Sequence, residues 1–338
     1  MMMMPVADRR YRHLRDLRIS ITDRCNLRCR YCMPREHFGP GHHYLDPADL
    51  LTFDEIARLA RVFAFLGVRK IRLTGGEPLL RRGVADLVAL LAAVPGLDLA
   101  MTTNGLLLPA FAERLAQAGL RRVTVSLDAL DDAVFRAVAD TAVPVRRVLE
   151  GIDAAARAGL NPVKVNMVVK RGVNDGCVLP MVERFRGSGH ILRFIEYMDV
   201  GATNEWQLGE VLPAAEIVRL IDGRYPLEPL DATGVGEVAT RYRFLDGAGE
   251  IGVIGSVTRP FCGDCTRARL SAEGKVHTCL FSSGGTDLRA LLRAGASDEE
   301  LCSAVRALWG AREDRYSELR GSRAPSRGDR VEMSYIGG

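Results

Sequence analysis

The sequence predicts an α/β fold, with a parallel sheet curled into an open barrel of six strands and a smaller, mixed region after it. Three observations predict this. Strand-like and helix-like stretches alternate between residues 17 and 198, the pattern of βα units on a parallel sheet. The strand-like stretches carry polar residues on one face and apolar residues on the other. After Asp199 the alternation gives way to short, glycine-punctuated segments.

Taken in order, residues 17–23 (LRISITD) alternate apolar and polar, the period of a half-buried strand. A cysteine-bearing loop follows. Phe53, Ile56, Leu59, Phe63 and Leu66 recur at helical spacing and predict a helix over 53–66 with one core-facing stripe. Strand 70–74, helix 82–93, strand 97–103, helix 109–118 and strand 121–127 come next. Helices near 131–139 and 145–158 precede strand 162–170, helix 178–186 and strand 190–198. Right-handed crossovers between such strands curl the sheet. Past Asp199, residues 213–222 predict a short helix, 238–255 a hairpin or meander, and 286–294 and 297–311 two further helices. The expected division is a barrel domain over 14–200 and a second domain over 201–338, packed together because no low-complexity linker separates them.

Side chains alternate along a strand, so parity separates the two faces. Arg18, Ser20, Thr22, Lys70, Arg72, Thr74, Thr124, Ser126, Asp128, Lys164 and Asn166 share one face. Leu17, Ile19, Ile21, Ile71, Leu73, Val123, Val125, Leu127, Val163, Val165 and Met167 share the other. The helices need the apolar face, which leaves the polar face to line the interior. A packed barrel core is filled with Val, Ile and Leu. A polar, basic lumen predicts a large charged ligand instead, the alternative being a sheet with one solvated face. Strand 190–198 fits the parity poorly, because Arg193 and Glu196 cannot both point inward without a bend.

Composition narrows the class. The 338 residues are 47% hydrophobic with a net charge of +4, which suits one large or two smaller globular domains and gives no general attraction to nucleic acid. No apolar run in the sequence reaches the roughly 18 residues of a membrane span. Residues 1–16 lack the apolar core of a secretion signal, and the run Met1 to Met4 is set aside. Six of the eight cysteines fall in two sets of three; Cys177 and Cys302 stand apart and read as buried or inert thiols. Clustered thiols without an export signal predict the reducing cytoplasm.

The motifs carry the chemistry. Cys25, Cys29 and Cys32 are spaced C-x3-C-x2-C after the first strand. Thiolates select zinc or iron–sulfur clusters. A four-iron cluster takes four cysteines, so three leave one iron open to an outside ligand. Zinc sites favour paired C-x2-C units. Gly75-Gly76-Glu77-Pro78 ends the second strand, where glycine lets the backbone approach a ligand. Residues 102–105 (TTNG) and 126–128 (SLD) end the next two strands, and strand ends are where parallel sheets bind ligands. The second set is Cys262, Cys265 and Cys279, whose spacing alone leaves an open four-iron cluster and a zinc site completed by His277 about equal. Arg267 and Arg269 beside it offer guanidinium forks for phosphate, or else belong to a solvated basic face.

Residues 25–32, with Tyr31 before the last cysteine, and Gly75-Gly76-Glu77-Pro78 one βα unit later resemble the signature of the radical S-adenosylmethionine (SAM) enzymes. Asp23-Arg24-Cys25-Asn26, Tyr31-Cys32-Met33-Pro34, Ile71-Arg72-Leu73-Thr74, Thr102-Thr103-Asn104-Gly105, Arg193-Phe194-Ile195-Glu196, Cys265-Thr266-Arg267-Ala268-Arg269-Leu270 and the terminal Gly337-Gly338 are similar to the branch of that family that opens molybdenum cofactor biosynthesis. The resemblance runs from about Leu14 to Gly338.

It implies an incomplete (βα)6 TIM-type barrel and a C-terminal α+β region. It implies two 4Fe-4S clusters, one on Cys25, Cys29 and Cys32 that binds SAM, the other on Cys262, Cys265 and Cys279 that holds a guanine base. The implied SAM contacts are Tyr31, Gly76, Ser126 and Met198. The implied GTP contacts are Arg18, Arg72, Thr102, Lys164, Arg267 and Arg269. Lys70 and Arg193 are available for phosphate, and Gly337 and Gly338 of the tail reach into the site. The implied lyase reaction starts when a 5′-deoxyadenosyl radical takes hydrogen from ribose C3′ of GTP. The carbon radical attacks guanine C8, and reduction gives 3′,8-cyclo-7,8-dihydroguanosine 5′-triphosphate. Implied partners are a reductant such as flavodoxin or ferredoxin, the cyclic pyranopterin monophosphate synthase that takes the product, and a second copy in a homodimer. Two rivals stand beside this reading: a radical SAM enzyme acting on a peptide, and a zinc-stapled module for nucleic acid.

Overall fold

The computed structural model describes residues 5–234, 236–320 and 330–337. The first part runs β1 (Asp16–Ser20), α1 (Phe53–Phe65), β2 (Lys70–Thr74), α2 (Val84–Ala92), β3 (Asp98–Thr103), α3 (Leu108–Gln117), β4 (Arg122–Ser126), α4 (Asp132–Ala139), α5 (Arg146–Arg157), β5 (Lys164–Val169), α6 (Val178–Phe185) and β6 (Ile191–Glu196). These six strands pair in parallel, in chain order. Each helix has a local reason. In α1, Thr52 Oγ1 accepts from Glu55 N at 3.1 Å while Glu55 Oε2 accepts from Thr52 N at 2.7 Å, a reciprocal cap that satisfies donors the first turn leaves unpaired. Its buried stripe includes Ile56, Leu59 and Phe63.

The core is the layer between sheet and helices. Leu17, Ile19, Ile71, Leu73, Val123, Val125, Val165 and Met167 are almost wholly inaccessible, as the parity predicts. On the opposite face Arg18, Lys70, Arg72, Lys164 and Asn166 are half-buried around a lumen. In β6, Arg193 belongs to the lumen face and no bend is needed, because Glu196 points the other way. Its buried carboxylate accepts from Ala214 N at 2.6 Å, Val257 N at 2.7 Å and Thr258 N at 2.9 Å.

The rest of the chain is α7 (Ala214–Asp222), β7 (Leu227–Leu230), β8 (Thr240–Phe244), β9 (Glu250–Ile254), β10 (Arg267–Leu270), β11 (Lys275–His277), β12 (Thr286–Asp287), α8 (Leu288–Arg293), α9 (Asp298–Gly310), α10 (Tyr316–Leu319) and α11 (Met333–Ile336). β8 and β9 form the expected hairpin, with β7 outside it. The strands β10, β11 and β12 are not foreseen by the sequence pattern. They matter, because β10 pairs in parallel with β1 while β9 pairs in parallel with β6. The order β12-β11-β10-β1-β2-β3-β4-β5-β6-β9-β8-β7 is one continuous sheet. Among the described residues, no helix is long and apolar enough to cross a membrane.

Candidate functional site

Cys25, Cys29 and Cys32 lie in the loop that leaves the C-terminal end of β1. Arg28 N and Arg30 N donate to Ala139 O and Val138 O, at 3.1 and 3.0 Å, and so seat the loop on the end of α4. The Arg28 guanidinium laces it internally, donating to the carbonyls of Cys25, Leu27 and Phe38 and to Tyr44 Oη, each at 2.8 Å. A Cβ on Gly75 would sit 2.4 Å from Thr22 O, and one on Gly76 2.3 Å from Arg24 O. The glycines are therefore required by contact with the cysteine loop itself, a different reason from the ligand approach that the sequence suggests.

Glu77 accepts from Leu79 N at 3.0 Å, Thr103 Oγ1 at 2.8 Å and Asn104 N at 2.8 Å. Asn104 Nδ2 in turn donates to Asn26 Oδ1 at 2.7 Å. The second and third strand ends thus form one brace behind Cys25. Burial pushes the Glu77 carboxyl up to about 7 and the Cys25 thiol up to about 11, and it raises Cys29 and Cys32 in the same direction. Tyr31 Oη donates to Asp128 Oδ2 at 2.8 Å, which brings Tyr31 to the β4 end that carries Ser126. Burial raises Asp128 to about 6. Met198 follows β6, its carbonyl accepting from Asn204 Nδ2 at 3.1 Å.

The second triad lies at the other end of the same strands. Cys262 and Cys265 precede β10, which runs parallel to β1 with Arg267 opposite Asp16. Cys279 follows β11, which returns antiparallel with His277 opposite Arg269. The five residues of β1 between the two ends span about 17 Å. Burial pushes Cys279 up to about 11. Burial also raises Cys265, but the Arg267 and Arg312 guanidiniums outweigh it and bring that thiol down to about 6. His277 turns Nδ1 to Ser282 Oγ at 3.0 Å. Among the described residues, no three His, Cys, Asp or Glu side chains converge as one metal ion requires. A four-iron cube holds its thiolates farther apart than a single ion does. Each triad offers the cube's donor chemistry, three soft thiols with a fourth position left to a ligand.

The lumen between the triads is cationic. Arg18 lies in register between Arg72 of β2 and Arg269 of β10. Arg72 Nη1 donates to Thr102 Oγ1 and Thr124 Oγ1, both at 3.0 Å, and Arg193 Nε to Asn166 Oδ1 at 3.0 Å. Arg267 stacks over Phe261, 4.9 Å from the ring centroid. Arg269 donates to the carbonyl of Gly337, which brings the tail into the lumen; Gly338 lies outside the described residues. Of Arg18, Lys70, Arg72, Lys164, Arg193, Arg267 and Arg269, only Lys70 has an ion-pair partner among the described residues, Asp16 at 3.8 Å. Burial and mutual repulsion lower Arg18 well below its usual range. Burial brings Lys70 and Lys164 down to about 8, Arg193 to about 9 and Arg269 to about 10.

Sequence reasoning misses two groups. Arg12 Nη1 donates to Cys262 O at 2.7 Å from 250 residues away, and Arg312 donates to Cys265 from 47 residues away; no periodicity signals either. Asp199 is the other. It accepts from Tyr316 Oη at 2.5 Å and Arg320 Nε at 2.8 Å, and its carbonyl accepts from Arg330 Nη1 at 2.8 Å, tying the base of the tail to the end of β6.

The Radical SAM superfamily model matches residues 19–185, and the Molybdenum Cofactor Synthesis C model matches residues 190–318. The chain is 54% identical to the GTP 3′,8-cyclase of Acidothermus cellulolyticus, with 100% of each chain covered. It is 52% identical to that of Xanthomonas axonopodis pv. citri, with 99% of each covered. Identity to that of Staphylococcus aureus is 46%, over 98% of this chain and 99% of the other. Among solved structures it is similar to Streptococcus suis SuiB bound to precursor peptide SuiA, with a TM-score of 0.61 and 15% identity over 92% of this chain and 67% of that one; at that identity the likeness concerns the fold alone.

Proposed function

The chain belongs to the GTP 3′,8-cyclase family of the radical SAM superfamily, and from that membership we infer how its lumen carries out the reaction. It is a radical SAM lyase that cyclises GTP to 3′,8-cyclo-7,8-dihydroguanosine 5′-triphosphate, an early step of molybdenum cofactor biosynthesis, with SAM and two 4Fe-4S clusters. When bound, SAM and the cluster on Cys25, Cys29 and Cys32 supply a deoxyadenosyl radical, and the cluster on Cys262, Cys265 and Cys279 supplies an open iron to the purine.

The observation that carries the assignment of residues is the lumen of seven cations, which among the described residues have a single ion pair, at 3.8 Å. Buried charge without a partner is costly, so the cavity is built for a polyanion. Arg18, Arg72, Lys164, Lys70 and Arg193 hold the triphosphate. Thr102, Thr124 and Asn166 fix two of these guanidiniums beforehand, and such preorganisation spares the reacting groups a search for geometry. Arg267 and Arg269, on the strand beside the second triad, fix the nucleotide at that end. The Gly337 carbonyl occupies an Arg269 donor until substrate takes it. Tyr31, Gly76, Ser126 and Met198 surround the first triad's end of the lumen and contact SAM there. Residues 14–200 carry the radical source and the cations for the triphosphate, and 201–338 carry the second cluster with the further GTP contacts Arg267 and Arg269. The product passes to cyclic pyranopterin monophosphate synthase, flavodoxin or ferredoxin delivers electrons, and the chain works as a homodimer.

A peptide substrate gives no reason for seven lumen cations, six half-buried and Arg269 buried. The test is anaerobic reconstitution, reduction, and incubation with SAM and either GTP or ATP. 5′-Deoxyadenosine should form with GTP and not with ATP, on protein holding iron at both triads. Absence of GTP-dependent 5′-deoxyadenosine rejects the reading.

A further inference from the structure

Arg312 is nearly inaccessible, with 1% of its side chain exposed, and its guanidinium donates to Cys265, to the carbonyl beside Cys279 and to two buried or half-buried acids. Nη2 lies 3.2 Å from Cys265 Sγ, and Nη1 donates to Cys265 O at 2.8 Å. Nε donates to Thr278 O, next to Cys279, at 3.1 Å. One planar group therefore touches both arms of the triad, the loop before β10 and the turn after β11. Its outer side is fixed as well. Asp8 Oδ2 accepts from Arg312 Nη1 at 3.1 Å and from Arg12 Nε at 2.7 Å, while Asp314 Oδ2 accepts from Nε at 3.3 Å. The guanidinium stacks 4.5 Å from the Trp309 ring centroid. Arg12 closes the frame, donating to Cys262 O at 2.7 Å.

Arg267 also approaches Cys265 Sγ, at 3.7 Å, but it faces the lumen. Arg312 has no such second task. A fixed cation that donates a hydrogen bond to a ligand thiolate favours the more negative, reduced state of a cluster, and such outer contacts also orient the ligand. We propose that Arg312 is a positioning residue for the second cluster: it locks Cys265 and Cys279 into one frame and raises that cluster's reduction potential through Cys265. The proposal rests on the assignment of a cluster to Cys262, Cys265 and Cys279.

The experiment compares wild type, Arg312→Met and Arg312→Lys, each also with Cys25, Cys29 and Cys32 changed to Ser so that the second cluster is read alone. Melting temperature, iron and sulfide content, and an EPR-monitored potentiometric titration are measured under anaerobic conditions without substrate. The expected result is a second cluster in Arg312→Met that is reduced only at more negative potential, with the first cluster's potential unchanged. Arg312→Lys, which keeps the charge but not the fork, should recover part of the shift. Loss of iron from the second triad alone, in a variant that still melts as folded protein, supports the locking role. Unchanged potentials with both clusters present overturn the proposal, and so does equal loss of iron from both triads. If wild-type protein itself holds no iron at the second triad, the cluster assignment fails instead, and the two failures are distinct.

Discussion

Lys70 and Lys164 give the site a pH signature. Burial, reinforced by neighbouring guanidiniums, lowers both from 10.5 to about 8. Between those values the folded protein without substrate binds fewer protons than the unfolded chain, so its stability rises with pH across that window. A triphosphate reverses the sign by favouring the charged lysines. GTP binding above pH 8 should therefore take up protons, read by calorimetry in buffers of different ionisation enthalpy, and affinity should fall as pH rises towards 10.5. Affinity that stays flat across the window would exclude lysine contact with phosphate. Arg72→Ala removes a fork already set by two threonines. Losing one charge-assisted hydrogen bond, about 1.5–3 kcal/mol, should weaken GTP binding roughly 10- to 100-fold and leave iron content unchanged, as calorimetry and metal analysis would show. These residues are legible in the sequence because strand parity and cysteine spacing are local signals. Arg12 and Arg312 are not, because their partners are brought to them only by the folded sheet edge.

Among the elements, the turn after β2 decides whether the first triad can form. Gly76→Ala would place a methyl 2.3 Å from Arg24 O, backbone that cannot yield without moving the loop to Cys25. The expected outcome is protein that binds GTP yet loses iron from the first triad, about half its total if each triad holds one four-iron cluster; a full complement in the alanine variant would refute this account of the turn. Glu196 plays a comparable part at the end of β6. Replacing it by Ala leaves the amides of Ala214, Val257 and Thr258 without their acceptor. Several such losses, each about 1–3 kcal/mol, should lower the melting temperature markedly, measured by calorimetry. The six βα units are readable because each strand or helix repeats its period several times. The strands β10, β11 and β12 have four, three and two residues, too few to show a period, and exist as strands because β1 and one another supply their hydrogen bonds. Their absence from the sequence reading also hides why the two triads share one cavity.

On the scale of the molecule, one continuous sheet joins the chain before residue 200 to the chain after it. β10 covers the edge of β1, and β9 covers the edge of β6, so both open sides of the central six strands are paired by the second half of the chain. The N-terminal segment returns the tie, since Asp8 and Arg12 are bonded to Arg312 and to the carbonyls of Cys262 and Asp314. A fragment ending at residue 200 would expose two long strand edges, the arrangement most prone to pairing with other chains, and would lose half of the buried ion network. It should be recovered aggregated, by size-exclusion chromatography, whereas the full chain without clusters should unfold in one cooperative transition by calorimetry. Two resolved transitions, with the later one insensitive to Glu196→Ala, would mean that the halves fold independently. In that case the distance between the triads would be set by a movable junction, and the lumen could not hold C3′ and C8 of one nucleotide in fixed relation to both ends. A single transition is what a reaction confined between two ends of the same strands requires.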